Sequence, residues 1–169
     1  MREAVRPLES VGTVGGKEGK YLTFSLDNEQ YGIGILKIKE IIGMIPITPV
    51  PRTPQYVKGV INLRGKVIPV IDLRERFGMG VVNSTERTCI IVVEIEGNSG
   101  TIMMGILVDS VSEVLSIKGE DIEDTPTFGA KLDTDYILGM AKMDGGVKIL
   151  LDIDCVLSAR EVADMEKAA

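Results

Sequence analysis

Two stretches of this chain repeat one pattern, and that constrains the fold more than any other feature. Tyr56, Gly59, Gly65, Val67 and Asp72 recur as Tyr136, Gly139, Gly145, Val147 and Asp152, always 80 positions on. Upstream, Gly32-Ile33-Gly-Ile35-Leu-Lys-Ile38-Lys-Glu40-Ile41 recurs as Gly105-Ile106-Leu-Val108-Asp-Ser-Val111-Ser-Glu113-Val114, 73 positions on. The loop around residues 117–131 absorbs the difference of seven. Each copy opens on a hairpin pattern, at Tyr21 and at Thr88. The expectation is two similar β-subdomains of about five short strands each, closed into small barrels so that no long edge stays unpaired. Two related subdomains leave a cleft between them, and clefts favour binding.

The local patterns support strands. Tyr21–Leu26 alternates apolar with polar residues, Asp27–Gln30 breaks the run, and Tyr31–Ile35 resumes it as the return strand of a hairpin. Residues 35–42 read as strand or helical turn, and Pro46, Pro49, Pro51 and Pro54 then exclude a long helix. Residues 57–72 read as two strands about Asn62-Leu63-Arg64-Gly65, where Gly65 suits a positive φ. Leu73–Phe77 reads as a helical turn ended by Gly78. Thr88–Ile95 and Thr101–Val108 flank a turn at residues 96–100. Cys155, Ala159, Val162 and Met165 fall at helical spacing and predict a C-terminal amphipathic helix over 154–166. Residues 1–19, with four glycines, read as a flexible lead-in. The domain reading is therefore a lead-in at 1–19 and one unit at 20–169, divided into subdomains at about 20–87 and 88–153 with the helix packing across.

Charge and residue inventory narrow the function. The net charge of −6 argues against nucleic acid or an anionic membrane surface as main partner. The polarity is uneven: residues 1–108 carry 13 Lys and Arg against 11 acids, and residues 109–169 carry 6 against 14. With no His, the chain has no His-based triad or phosphohistidine chemistry. The two cysteines, Cys89 and Cys155, form no metal or redox spacing and are expected as buried free thiols. Neither Gly16-Lys17 nor Gly19-Lys20 is followed by Ser or Thr, so neither is a phosphate loop. Asp72 and Asp152 stand at equivalent ends of the repeat, where a structural role suits them: ending a strand or capping the next turn. No signal-peptide pattern or membrane-spanning run is seen, and a cytoplasmic location is expected. No cofactor and no metal are expected.

The repeated segments carry a resemblance. Tyr31–Ile41, Pro54–Arg74 and Gly105–Leu115 resemble the signature of the CheW family, and the likeness runs over roughly 19–163. It implies an all-β fold with minor helix: two five-stranded SH3-like barrels and a short C-terminal helix. It implies a non-catalytic adaptor of bacterial chemotaxis. Such an adaptor binds the regulatory domain of the histidine kinase CheA and the cytoplasmic hairpin tip of methyl-accepting chemoreceptors, and sits at membrane receptor clusters without inserting into the bilayer. The partner-binding positions it carries over are Ile38, Glu40, Ile41, Lys58, Asn62, Leu63, Arg64 and Gly65, with Arg64 foremost. The alternatives are a CheV-like or other kinase scaffold, or a β-barrel enzyme or small-molecule-binding protein marked by a closed polar pocket.

Overall fold

The computed structural model describes residues 17–97, 100–126 and 136–157. Most of the expected lead-in, the 127–135 stretch and the C-terminal helix beyond Leu157 lie outside those residues. Eleven strands are described in chain order. They are β1 (Gly19–Leu26), β2 (Glu29–Gly34), β3 (Ile38–Gly43), β4 (Val57–Leu63), β5 (Lys66–Asp72), β6 (Cys89–Gly97), β7 (Gly100–Val108), β8 (Ser110–Ile117), β9 (Ile122–Glu123), β10 (Ile137–Met143) and β11 (Gly146–Leu151). Helix among the described residues is limited to the short α1 (Leu73–Arg76) and α2 (Ile153–Val156) and two 3₁₀ turns. Residues 35–42, ambiguous in sequence, divide into a 3₁₀ turn over Ile35–Lys37 followed by β3.

The strands form two sheets, in the orders β3-β6-β7-β5-β4 and β8-β1-β2-β11-β10-β9. Each curls on itself. In the first sheet, Ile42 near one edge and Ile61 and Leu63 at the other meet in one apolar cluster with Ile68, Val70, Ile90 and Val92. A flat sheet keeps its edges apart, so a shared cluster requires curvature. The bridge between Thr48 and Val60 ties the edges further. The second sheet does the same around Tyr21, Ile117, Ala141 and Leu150, with Ile122 of β9 packed against them.

The boundary expected between residues 87 and 88 does not separate these sheets. The β1–β2 hairpin of the first copy joins the second sheet, antiparallel to β8 and parallel to β11. The β6–β7 hairpin of the second copy joins the first sheet in the same way, antiparallel to β3 and parallel to β5. The exchange lets each hairpin bury both faces. Along β6, Ile90 and Val92 enter the first barrel, while Ile91, Val93 and Ile95 face a central core. Leu22, Phe24 and Leu26 reach the same core from β1. Truncating a residue such as Phe24, fully buried there, removes about 3–5 kcal/mol.

The repeat is visible in the backbone. The Tyr56 carbonyl accepts the Asp72 N–H at 2.7 Å, and the Tyr136 carbonyl accepts the Asp152 N–H at 2.8 Å. Asp72 caps α1 by accepting from the Arg74 N–H, and Asp152 caps α2 by accepting from the Cys155 N–H. Both acids therefore have the structural role expected of them. Burial pushes the Asp72 carboxyl up, against the opposing pull of the Arg74 N–H and Lys58. The cysteines depart from expectation: Cys89 is half-buried and Cys155 exposed.

Four of the seven aromatic rings stack in one column through the middle, Phe24–Tyr31–Phe77–Tyr136, with centroids 5.9, 6.2 and 5.3 Å apart. No helix among the described residues is long and apolar enough to cross a membrane.

Candidate protein-interaction site

The first copy's β4–β5 hairpin closes through Arg64 and Gly65, with Leu63 paired to Lys66. Both turn residues have positive φ, 52° and 88°. A two-residue turn of that hand matches the twist of the strands, but it suits Gly or Asn, not arginine. Holding a residue with a Cβ there costs about 1–2 kcal/mol. Two contacts stabilise the arrangement. Asn62 Oδ1 accepts the Gly65 N–H at 2.8 Å. Arg64 donates to both carboxylate oxygens of Glu40, at 2.5 and 2.8 Å. The Glu40 hydrogen bond, with its charge, raises the already high Arg64 pKa. Arg64 nonetheless remains 71% exposed, so one face of the guanidinium is open to a partner.

The eight sequence-derived positions therefore separate. Glu40, Asn62, Arg64 and Gly65 form one hydrogen-bonded group spanning β3 and the β4–β5 turn. Ile41 follows Glu40 and is 42% exposed, which makes it surface. Leu63 is half-buried against the interior of the first barrel. Ile38 is half-buried and packs against the central core. Lys58 stands five residues from Leu63 along β4 and pairs with the buried Glu75 at 3.5 Å. Its place is set by that carboxylate, whose second oxygen has no hydrogen-bond partner.

Several relevant residues gave no sequence signal as surface. Val67, next to the Arg64 turn, is 70% exposed, and Met44 beyond β3 is exposed too. With Ile41 they add exposed apolar area on β3, just beyond it and on β5, and apolar area together with a held cation is the mixture typical of protein-binding hot spots. Alternation alone assigns Val67 to a strand without saying which face is covered. The Arg74 cluster was also missed. Arg74, buried at the start of α1, donates to Asp27 and Asp109 at 2.5 and 2.9 Å, and to the Gly80 carbonyl at 3.2 Å. Burial disfavours the Arg74 charge, but the two carboxylates outweigh it and raise its pKa. Asp27, in the β1–β2 turn, sits at φ 57°. The cluster clamps that hairpin to the first copy's α1.

The comparisons with known proteins agree with this architecture. The family model described as CheW-like domain matches residues 20–161. The chain is 42% identical over 158 residues to a chemotaxis protein CheW of Klebsiella aerogenes, covering 94% of this chain and 92% of that protein. It is 34% identical to the corresponding protein of Rhizobium meliloti, covering 88% of this chain and 92% of that one. The crystal structure of the scaffolding protein TtCheW from Thermoanaerobacter tengcongensis superposes with a TM-score of 0.73 at 38% identity, covering 83% of this chain and 93% of that one. A twofold-repeated, strand-exchanged pair of sheets, a family match over nearly all of that unit and relatives aligned almost end to end leave one assignment: the chain belongs to the CheW-like family of chemotaxis coupling proteins.

Proposed function

We propose that this chain joins a CheA-type histidine kinase to the cytoplasmic hairpin tip of chemoreceptors by binding both, in the cytoplasm at receptor clusters. Family membership makes it a chemotaxis scaffold and not an enzyme. The observation that best supports a contact site is the Arg64 turn. An exposed guanidinium is held in a strained backbone conformation by Glu40 and Asn62, and strain of this kind persists where a side chain must be aimed. A rigid fork presented this way suits a carboxylate or a row of carbonyls at the end of a partner helix. Ile41, Val67 and Met44 supply exposed apolar area on β3, β5 and just beyond β3.

Fixed geometry is the mechanism. Two rigid barrels welded through one core hold kinase and receptor at a set separation. A small receptor shift then biases the kinase equilibrium as a coupling free energy between sites. Clustering adds effective concentration.

Titration calorimetry with the purified kinase regulatory domain and with a receptor hairpin fragment tests this. Saturable one-to-one binding is expected with each. Ile41→Glu should weaken kinase binding without unfolding, and Arg64→Ala should weaken receptor binding at least tenfold with the melting curve nearly unchanged. No binding of either partner up to about 100 µM, weaker than roughly −5.5 kcal/mol, would refute the reading.

A further inference from the structure

Two clefts of similar volume open on different chemistry. One, of about 610 Å³, is an apolar groove on the second barrel, with Leu36, Leu138 and Ile153 among its walls. The other, of about 600 Å³, is polar. Ser25, Gln30, Ser110 and Ser112 line it from β1, β2 and β8 of the second sheet. Glu86, Arg87 and Cys89 line it from the segment entering β6 of the first. A concave site of this volume, with several polar groups in its walls, has the dimensions of a small-ligand site.

The hydrogen bonds already made in the polar cleft leave donors over. Gln30 is engaged at both ends: Nε2 donates to Ser25 Oγ at 2.5 Å, and Oε1 accepts from Ser112 Oγ at 3.2 Å. Ser25 Oγ, accepting from Gln30, keeps its own hydrogen to donate. Ser110 is the cross-strand neighbour of Ser25, and its hydroxyl has no partner among the described residues. Arg64 and Arg74 are each held by carboxylates, but Arg87 forms no ion pair among the described residues, not even with the adjacent Glu86. The Cys89 thiol is turned to the Arg87 carbonyl, to which it donates at 3.1 Å. The walls therefore offer a guanidinium fork and two hydroxyl hydrogens against the single carboxylate of Glu86.

We propose that this cleft holds the phosphoryl group of a small ligand, with Arg87, Ser25 and Ser110 donating to its oxygens. A carboxylate has two oxygens, which a guanidinium fork satisfies alone. A phosphoryl group has three, which match the fork and the two hydroxyls together. Gln30 holds Ser25 Oγ in place beforehand, so that donor costs little to order on binding. Glu86 opposes the anion and keeps inorganic phosphate weak. A ligand with a cationic or N–H group beside its phosphoryl group turns that carboxylate into a contact, which defines the class: a small phosphorylated molecule that also carries a donor. Once bound, it ties β1 and β8 of the second sheet to the segment entering the first. An adaptor whose barrel spacing responds to such a ligand is a consequence that rests on the adaptor reading; the binding itself does not.

Titrating the full-length protein with inorganic phosphate in place of chloride, at constant ionic strength, tests the site without kinase or receptor, so failure here leaves the adaptor reading untouched. Saturable shifts are expected in the backbone amides of Ser25, Arg87 and Ser110, with the Arg64 amide unmoved. Arg87→Ala should weaken binding about tenfold, as loss of one charge-assisted pair does. Ser110→Ala should weaken it about threefold, and Glu86→Gln should tighten it about threefold. Arg87 and Glu86 are exposed and Ser110 is half-buried, so the melting curves should stay near that of the wild type. The cysteines give a second readout: phosphate should slow alkylation of Cys89, which lines the cleft, and leave the exposed Cys155 unaffected. Shifts that do not saturate, or that survive Arg87→Ala unchanged, overturn the proposal. Acetate saturating the same amides at the same midpoint overturns the phosphoryl assignment and makes the cleft a carboxylate site.

Discussion

The two copies share a backbone plan and differ in what stabilises it. The first copy uses charge: Arg74 on Asp27 and Asp109, Lys58 on Glu75, Arg64 on Glu40. At the matching positions the second has Asp154 on Lys37 and the Glu96 N–H, Leu138 and Cys155 in place of Lys58 and Glu75, and Asp144 and Glu113 in place of Arg64 and Glu40. Glu113 cannot pair with Asp144 as Glu40 pairs with Arg64. Its backbone is secured instead by the buried Thr23 hydroxyl, which donates to the Glu113 carbonyl and accepts the Glu113 N–H. The halves therefore hold the same backbone plan with different contacts. What does not match is the outcome at the surface: a fixed cation on the first barrel, an apolar groove on the second.

The backbone plan should fail most where the first copy is tightest. Gly59 lies at φ 140°, and a Cβ there would press on the Thr48 carbonyl. Its counterpart Gly139 has no such φ, and a Cβ would meet Ile122 Cγ2 at 2.8 Å, the end of a side chain that can shift. Gly59→Ala is expected to cost about 4 kcal/mol, as strain and backbone overlap add, against about 1–2 kcal/mol for Gly139→Ala. Equal losses in urea unfolding would mean that the copies are not differently constrained here.

The clamps come next. Arg74 is buried and serves two carboxylates, while Asp154 is 35% exposed. Arg74→Ala should cost about 3 kcal/mol, because it leaves Asp109 half-buried without its cation. Asp154→Ala should cost less than about 1 kcal/mol. A larger loss for Asp154 would reverse the ranking of the two clamps. For Lys58 and Glu75 the comparison can be made directly, by moving the second copy's solution into the first. Lys58→Leu alone strands the buried Glu75 and should cost about 1–3 kcal/mol, and adding Glu75→Cys should recover most of it. A double variant no better than the single would show that the matched pairs are coincidental.

The sequence made much of this plan legible. The offsets of 73 and 80 located corresponding strands, and Asp72 and Asp152 were readable as caps because equal placement in unequal surroundings points to backbone work. The strand exchange was not legible. Alternation shows that Tyr21–Leu26 is a strand, but β1 and β6 would alternate identically whichever sheet received them. Partner choice across the parallel pairs β2–β11 and β5–β7 depends on the central core, which exists only after folding. Whether Ile38 faces inward was equally hard to read, since its packing follows from that core. The position of Arg64 in a tight turn was legible because a short glycine-containing connection limits where a side chain can go, whereas its pairing with Glu40 was not.

The smallest predicted effect separates stability from function most cleanly. Arg64 occupies a left-handed position, whereas Asp144 at the matching place does not, although Gly145 beside it has φ 84°. Glycine at Arg64 relieves the strain that its Cβ imposes at this φ, and glycine at Asp144 has no strain to relieve. Arg64→Gly should therefore raise Tm by about 3 °C, and Asp144→Gly should lower it slightly, because glycine gains freedom in the unfolded chain without return. The stabilised Arg64→Gly protein should bind a receptor hairpin more weakly than wild type. Gained stability with lost binding is what a strained contact residue predicts. Lost stability would instead make the Glu40–Arg64 pair a structural clasp, equivalent in kind to Arg74 on Asp27 and Asp109.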